Sequence, residues 1–303
     1  MHVVVLGAGV IGVTTAYYLS ELGHRVTVVD REQKLASGAS GRNGGQLSYS
    51  FTEAMASPSL ISKLPGIVAG HNPAFHVRFS PDPQFMCWGM SFLGECTNHK
   101  NRHNSIKILQ MALRSGELMG ELQKQTSLEF SHRQAGKLIL LDSETAVTEA
   151  KTRCALKQPY GCDARVIPIE QAIEIEPAIR HMPTDYAGAV YSETDEVGNS
   201  RSFTTGLGDW LLANREVEFQ LNTRVRKIAA NGGKLAAVET DNGSLEPDAV
   251  VVCLGTWSRQ LLDPLGIKSN IFPMRGYSVT LPCVDSSNSV SITDLGSKTV
   301  FSR

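Results

Sequence analysis

The sequence predicts an α/β protein: a Rossmann-like β-α-β unit opens the chain, and an interleaved α+β region built on a mostly antiparallel sheet accompanies it. Three observations lead there. A β-branched run, Val3 to Leu6, ends in Gly7-x-Gly9-x-x-Gly12, a glycine spacing that suits a strand-to-helix turn. A helical pattern and a second apolar run follow and end in Asp30. A further buried-strand pattern, Asp248 to Leu254, also ends in glycine, at Gly255.

The elements follow from periodicity and punctuation. Val10 to Leu22 has apolar residues at helical spacing, and Gly23 and His24 close it before the strand Val26 to Val29. Strands joined this way are parallel and buried on both faces. From 50 to 103 the sequence is expected to be irregular, because Pro58, Pro65, Pro73, Pro81 and Pro83 break it. A helix is expected from Ser105 to Lys124, with Ile108, Met111, Ala112, Met119 and Leu122 as its core stripe. Lys137 to Leu141 reads as a strand, Glu144 to Lys157 as a helix, and YAGAVYSETDEVGNS as a strand followed by a solvated acidic turn at Asp195 and Glu196. Asn199 or Ser200 then caps a helix. Thr223 to Ala229 and Lys234 to Thr240 flank Asn231-Gly232-Gly233 and form a hairpin. FPMRGYSVTLP, SVSIT and KTVFS are expected to be strands.

Composition narrows the class. The chain has 303 residues, 42% hydrophobic and 19% charged, with a formal net charge of -1. No basic surplus points to nucleic acid. Cysteines at 87, 96, 154, 162, 253 and 283 form no C-x-x-C pair and have no histidine at zinc spacing, which argues for reduced thiols in a cytoplasmic setting and against a metal site. The apolar N-terminus lacks the basic start of a secretory signal, and no run is long and apolar enough to span a bilayer.

The glycine motif carries the chemistry. Gly7 permits the tight turn, Gly9 lets backbone approach a pyrophosphate, and Gly12 lets helix pack on strand. The helix N-terminus at Val10 and Ile11 then offers N–H groups and a positive dipole end to the anion. Asp30, 18 residues after Gly12 and followed by Arg31, accepts hydrogen bonds from a ribose diol. This unit alone leaves NAD and FAD open. The stretch SGASGRNGGQLS begins seven residues past Asp30, and although its composition is that of a linker, its place beside the motif favours a ligand longer than NAD. Its backbone and Arg42 are suited to the pyrophosphate and flavin end of FAD.

The G-x-G-x-x-G with Asp30, the S-G-x-N-G-G element at Ser40 to Gly45, VVVCLGTWS at 250 to 258 and PMRGYS at 273 to 278 resemble the D-amino acid oxidase superfamily of FAD enzymes. Within it, YYLSELGHRVTVVDR, NGGQLS, RQAGKLILL, SETDEVGNSRSFT and RGYSVTLP are similar to the bacterial D-amino acid dehydrogenase family, small-subunit type. The resemblance runs over essentially the whole chain. It implies an FAD-binding domain of 1–80 with 200–265 and a substrate domain of 81–199 with 266–303. It implies non-covalent FAD held by Gly7, Gly9, Val10, Ile11, Gly12, Asp30, Arg31, Ser40, Asn43, Gly44, Gly45, Gln46, Val225 and Gly255. Gln46 stands where some amine dehydrogenases of the superfamily have the histidine that bonds flavin.

The resemblance also implies an activity: oxidation of a D-amino acid by hydride transfer from Cα to flavin N5, then hydrolysis to a 2-oxo acid and ammonia. The electrons pass to a quinone or another acceptor, and the protein is expected in the cytoplasm or peripheral on the inner membrane. Arg303 is the implied carboxylate ligand, Tyr277 the implied pocket aromatic, and Arg275 a residue bordering flavin or solvent. Alternatives on the same scaffold are a glycine- or sarcosine-type amine oxidase, a D-hydroxyproline dehydrogenase, and an inactive FAD-binding fragment. Members of the family continue past the point where this chain stops, so a C-terminally truncated sequence is expected.

Overall fold

The structure is a computed structural model that describes residues 1–71, 77, 80–282 and 288–303; Pro73 and Cys283 lie outside the described residues. The chain divides into two compact units. One comprises Met1–Asn43, Gln125–Ser131 and Asn199–Val279, and the other Gly44–Lys124, His132–Gly198 and Thr280–Arg303.

The first unit is built on a four-stranded parallel sheet in the order Ala249–Val252, His2–Leu6, Arg25–Val29, Val217–Gln220. Val4, Val5, Leu6, Val26, Val28 and Val29 are all fully buried, as expected for parallel strands covered on both faces. The helix Val10–Glu21 connects the first two strands and buries Val13, Ala16 and Tyr17. The helix Ser200–Asn214 is capped by Asn199, whose side-chain oxygen accepts the N–H groups of Arg201 and Ser202 at 3.0 and 3.1 Å. A separate antiparallel sheet carries the expected hairpin, Val225–Asn231 and Lys234–Thr240, joined by Gly232 and Gly233 at positive φ, with Gly243–Leu245 as third strand.

The second unit centres on a five-stranded sheet in the order Thr299–Phe301, Ser291–Asp294, Lys137–Leu141, Gly188–Ser192, Arg165–Ile167. Three of its four pairings are antiparallel; Ser291–Asp294 runs parallel to Lys137–Leu141. Leu138, Leu140, Ile167, Ala189 and Ile292 form its core together with Ile179 and Tyr186. The α/β fold class, with a Rossmann-like unit and a mostly antiparallel second sheet, is therefore the one expected.

Several local expectations need correction. The stretch from 50 to 103 contains two helices, Pro58–Val68 and Pro83–Glu95, and the long helix Asn98–Thr126 begins inside it. Pro58 and Pro83 occupy the first helical turn, where a missing N–H costs nothing, so these prolines start helices and do not break them. On the long helix, Leu122 of the expected stripe is buried and Ala112 and Met119 are half-buried, but Ile108 and Met111 are 42% and 74% exposed and Leu109 takes the buried place beside them. FPMRGYSVTLP forms no strand. Phe272 is half-buried and residues 273–282 are exposed, Tyr277 by 91%, and no strand among the described residues pairs with it.

The unit boundaries also differ from the ranges implied by resemblance. Residues 44–80 belong to the second unit because Gln46–Leu47 pairs with Glu196–Val197, and because Lys157 donates to the Ser50 carbonyl and the Glu53 carboxylate at 2.8 and 2.7 Å. Residues 266–279 belong to the first, where the Arg259 guanidinium lies over the Phe272 ring at 5.4 Å.

Candidate cofactor site

The glycine motif forms the turn the spacing predicts. Gly7 has φ +108°, and a Cβ there would meet the Cys253 carbonyl oxygen at 2.6 Å. A Cβ on Gly12 would overlap the Gly7 carbonyl oxygen, so the helix sits against the turn at a distance only glycine allows. The strand ends are stitched at 2.8 Å by Gly7 N–H to the Val29 carbonyl and by Cys253 N–H to the Leu6 carbonyl. Gly255, at φ +55°, turns the chain away after the last strand.

Gly9 is the N-cap of the helix Val10–Glu21 and brings no side chain to it. The Ser40 hydroxyl accepts the Val10 N–H at 2.9 Å, and a Cβ on Gly9 would approach the same oxygen to 3.1 Å. A hydroxyl held there keeps its own proton to donate to a phosphate oxygen. Ile11 is 64% exposed at this helix end.

Asp30 lies at the end of the second strand. Its carboxylate accepts the Ala8 N–H at 2.6 Å and the Glu32 N–H at 2.8 Å, one on each oxygen, which fixes its plane and leaves a lone pair on each for a diol. Arg31 stacks over the Trp257 ring at 4.3 Å. Asn43 donates to the carbonyls of Ala39 and Ser40, holding the short turn Ala39–Gly41. The Arg201 guanidinium donates to the Gly41 carbonyl at 3.3 Å, and a Cβ on Gly41 would strike it. Arg42 is exposed, and Val225 opens the hairpin of the third sheet. A helix end whose N-cap is a glycine, a fixed carboxylate and glycines whose missing Cβ atoms leave room fit a dinucleotide.

The remaining expected residues lie elsewhere. Gly44, Gly45 and Gln46 belong to the second unit. Gly45 has φ +63°, and its carbonyl accepts the Gly198 N–H at 2.8 Å. Arg275 and Tyr277 lie exposed on the extended segment of the first unit. Arg303 is exposed in the second unit, and its carbonyl accepts a bond from Arg133 at 2.6 Å.

The acidic turn is not solvated as expected. Asp195 is 1% exposed; its carboxylate accepts the N–H groups of Tyr49 and Ser50 at 3.0 Å, the Ser50 hydroxyl at 2.9 Å and the Ser192 hydroxyl at 3.3 Å. Desolvation raises its pKa against the pull of these donors and of Lys137. Glu196 accepts the Tyr49 hydroxyl at 2.8 Å and faces His132 Nε2 at 2.9 Å. These carboxylates pin the chain that follows the glycine-rich stretch. Ser192 apart, their partners come from positions more than sixty residues away, and no local spacing announces them.

Comparison with known proteins agrees with this geometry. The model of a family described as FAD dependent oxidoreductase matches residues 2–302. A D-amino acid dehydrogenase of Dechloromonas aromatica is 34% identical over 310 residues, spanning 100% of this chain and 74% of the relative. One of Neisseria meningitidis is 36% identical over 289 residues, spanning 94% of this chain and 68% of the relative. Among solved structures, an L-proline dehydrogenase of P. horikoshii superposes with TM-score 0.68 at 18% identity, over 97% of this chain and 64% of its own. A glycine oxidase of Geobacillus kaustophilus does so with TM-score 0.65 at 18% identity, over 97% and 65%. At that identity the structures speak to fold alone.

Proposed function

Because the chain belongs to the FAD dependent oxidoreductase family, we propose that it serves in the oxidation of D-amino acids to 2-oxo acids and ammonia. The observation that carries the reading is the similarity along this whole chain to relatives named D-amino acid dehydrogenase, joined to a dinucleotide turn in which Gly7 and Gly12 are sterically required. Bound FAD supplies the two-electron sink for the hydride leaving Cα.

The chain's own residues bind and orient. The Ile11 N–H and the Ser40 hydroxyl, itself held by the Val10 N–H, hold the pyrophosphate, and the Asp30 carboxylate holds the ribose diol. Asn43 keeps the Ala39–Gly41 turn closed over that end. Gly44, Gly45 and Gln46 continue the glycine-rich stretch toward the flavin part of the ligand. On the substrate side, Arg303 serves as the carboxylate ligand, since a guanidinium binds a carboxylate through two parallel bonds. Tyr277 and Arg275 complete the set that the resemblance names. Electrons then pass to a quinone or another carrier, and the enzyme works in the cytoplasm or on the inner membrane surface.

The test is an anaerobic visible spectrum of the purified chain, followed by D-alanine, with L-alanine as control. Loss of the oxidised-flavin band with D-alanine alone supports the reading. A flavin that neither enantiomer reduces counts against the activity, and a colourless protein counts against cofactor binding by this polypeptide.

A further inference from the structure

Lys137, the first residue of the central strand Lys137–Leu141, is 2% exposed, yet no motif explains a lysine there. Among the described residues no carboxylate lies within ion-pair distance of its amine. It donates instead to two neutral oxygens, Gln46 Oε1 at 3.1 Å and Ser48 Oγ at 2.6 Å, and its third side faces the Phe51 ring at 4.9 Å. A buried ammonium with no carboxylate in direct contact is costly, even with Asp195 and Glu53 near enough for their fields to reach it, so its retention calls for a reason.

The hydrogen bonds close on themselves. Lys137 gives a proton to the Gln46 carbonyl oxygen, and the Gln46 amide nitrogen donates to the Ser291 hydroxyl. The Ser291 backbone N–H donates to the carbonyl of Gly136, the residue next to Lys137, at 3.2 Å. Ser291 and Lys137 are also register partners in the sheet. Gly136, at φ +72°, is tied from behind by its own N–H to the Asp195 carbonyl at 2.9 Å. A carboxamide can usually flip, exchanging donor for acceptor. Here a donor-only amine on one side fixes oxygen toward Lys137 and nitrogen toward Ser291.

We propose that Lys137 is a positioning residue: it locks the Gln46 carboxamide in one orientation and clamps the end of the glycine-rich stretch to the central sheet, so that Gln46 presents its remaining N–H in a fixed direction to the flavin part of the cofactor. The last clause rests on the proposed role of Gln46; the clamp itself does not. Lysine suits this task because it is long enough to reach two loop oxygens from a strand and has no acceptor to offer the amide in its place.

The experiment measures backbone hydrogen exchange across residues 44–50 in the full 303-residue chain without FAD, for wild type, Lys137→Met, Gln46→Ala and the double variant. The visible spectrum and affinity of added FAD are read on the same proteins. Exchange at 46–50 rises at least about tenfold in each single variant, and the double variant adds little, because both break the same ring. Each single variant also shifts the bound-flavin spectrum. Wild-type exchange in folded Lys137→Met, or a double variant whose effect is the product of the singles, overturns the clamp. If Lys137→Met does not fold, Gln46→Ala decides from the other side of the ring: raised exchange supports the clamp and wild-type exchange sinks it. A wild-type chain that takes up no FAD removes the cofactor role alone, since the exchange result is read without ligand.

Discussion

Ser40 and Val10 stand thirty residues apart, and the Ser40 hydroxyl accepts the Val10 N–H at 2.9 Å. A side chain from the glycine-rich stretch thus stands in for the missing cap at the helix N-terminus. Ser40→Ala is expected to cost the helix about 1 kcal/mol, as loss of an N-cap does. It should also weaken FAD binding several-fold, because the same hydroxyl is a phosphate donor. Urea denaturation and a fluorescence titration with FAD separate the two effects.

Gly9 and Gly12 should respond differently to the same methyl group. At Gly12 it overlaps the Gly7 carbonyl oxygen, so Gly12→Ala must separate helix from turn and should destabilise the first unit by more than about 4 kcal/mol. At Gly9 it meets only the Ser40 hydroxyl at 3.1 Å, so Gly9→Ala should fold nearly normally and lose FAD affinity. Circular dichroism melts and flavin retention on purification test the pair. A folded, flavin-binding Gly12→Ala would contradict the packing described above.

Asp195→Ala leaves two buried backbone N–H groups, those of Tyr49 and Ser50, without an acceptor. Each such loss costs about 1–3 kcal/mol, so a destabilisation of roughly 3 kcal/mol or more is expected in urea. A solvated turn would show almost none.

Burial holds the Lys137 amine down to about 8, from an ordinary value of 10.5, against the fields of Asp195 and Glu53. The folded chain therefore binds fewer protons than the unfolded chain between those two values. Stability contributed by this residue rises with pH across that window and is lowest, by at most about 3 kcal/mol, when both states are protonated below it. Lys137→Met removes the titrating group. The stability difference between wild type and variant, measured by urea midpoints, should change between pH 7 and pH 10 in favour of wild type.

What the sequence disclosed follows from how local each signal is. Gly7, Gly9, Gly12 and Asp30 lie within a single β-α-β unit, so their spacing reports their geometry. The hairpin at Gly232 and Gly233 was legible for the same reason. Lys137, Asp195 and Ser291 were not, because Ser48, Tyr49 and Gln46, which they bind, lie 89, 146 and 245 residues away and charge in a sequence reads as exposure. The short strand Val217–Gln220 alternates Val, Glu, Phe and Gln, too brief a pattern to stand out from a loop. FPMRGYSVTLP carries strand-forming residues, yet a strand exists only where a neighbour accepts its ladder.

The chain passes from one unit to the other five times, at 43/44, 124/125, 131/132, 198/199 and 279/280. Growth on the ribosome therefore cannot finish either unit early. The strand His2–Leu6 is made well before its neighbour Ala249–Val252 and the Asp248 carboxylate that accepts the His2 N–H at 2.7 Å, which follows 246 residues later. Until then Val3, Val4 and Val5 offer one unpaired edge to any passing strand. A nascent chain halted before residue 249 should need a chaperone to stay soluble, and one extended past Asp294, with the strands Ala249–Val252 and Ser291–Asp294 both made, should need it less.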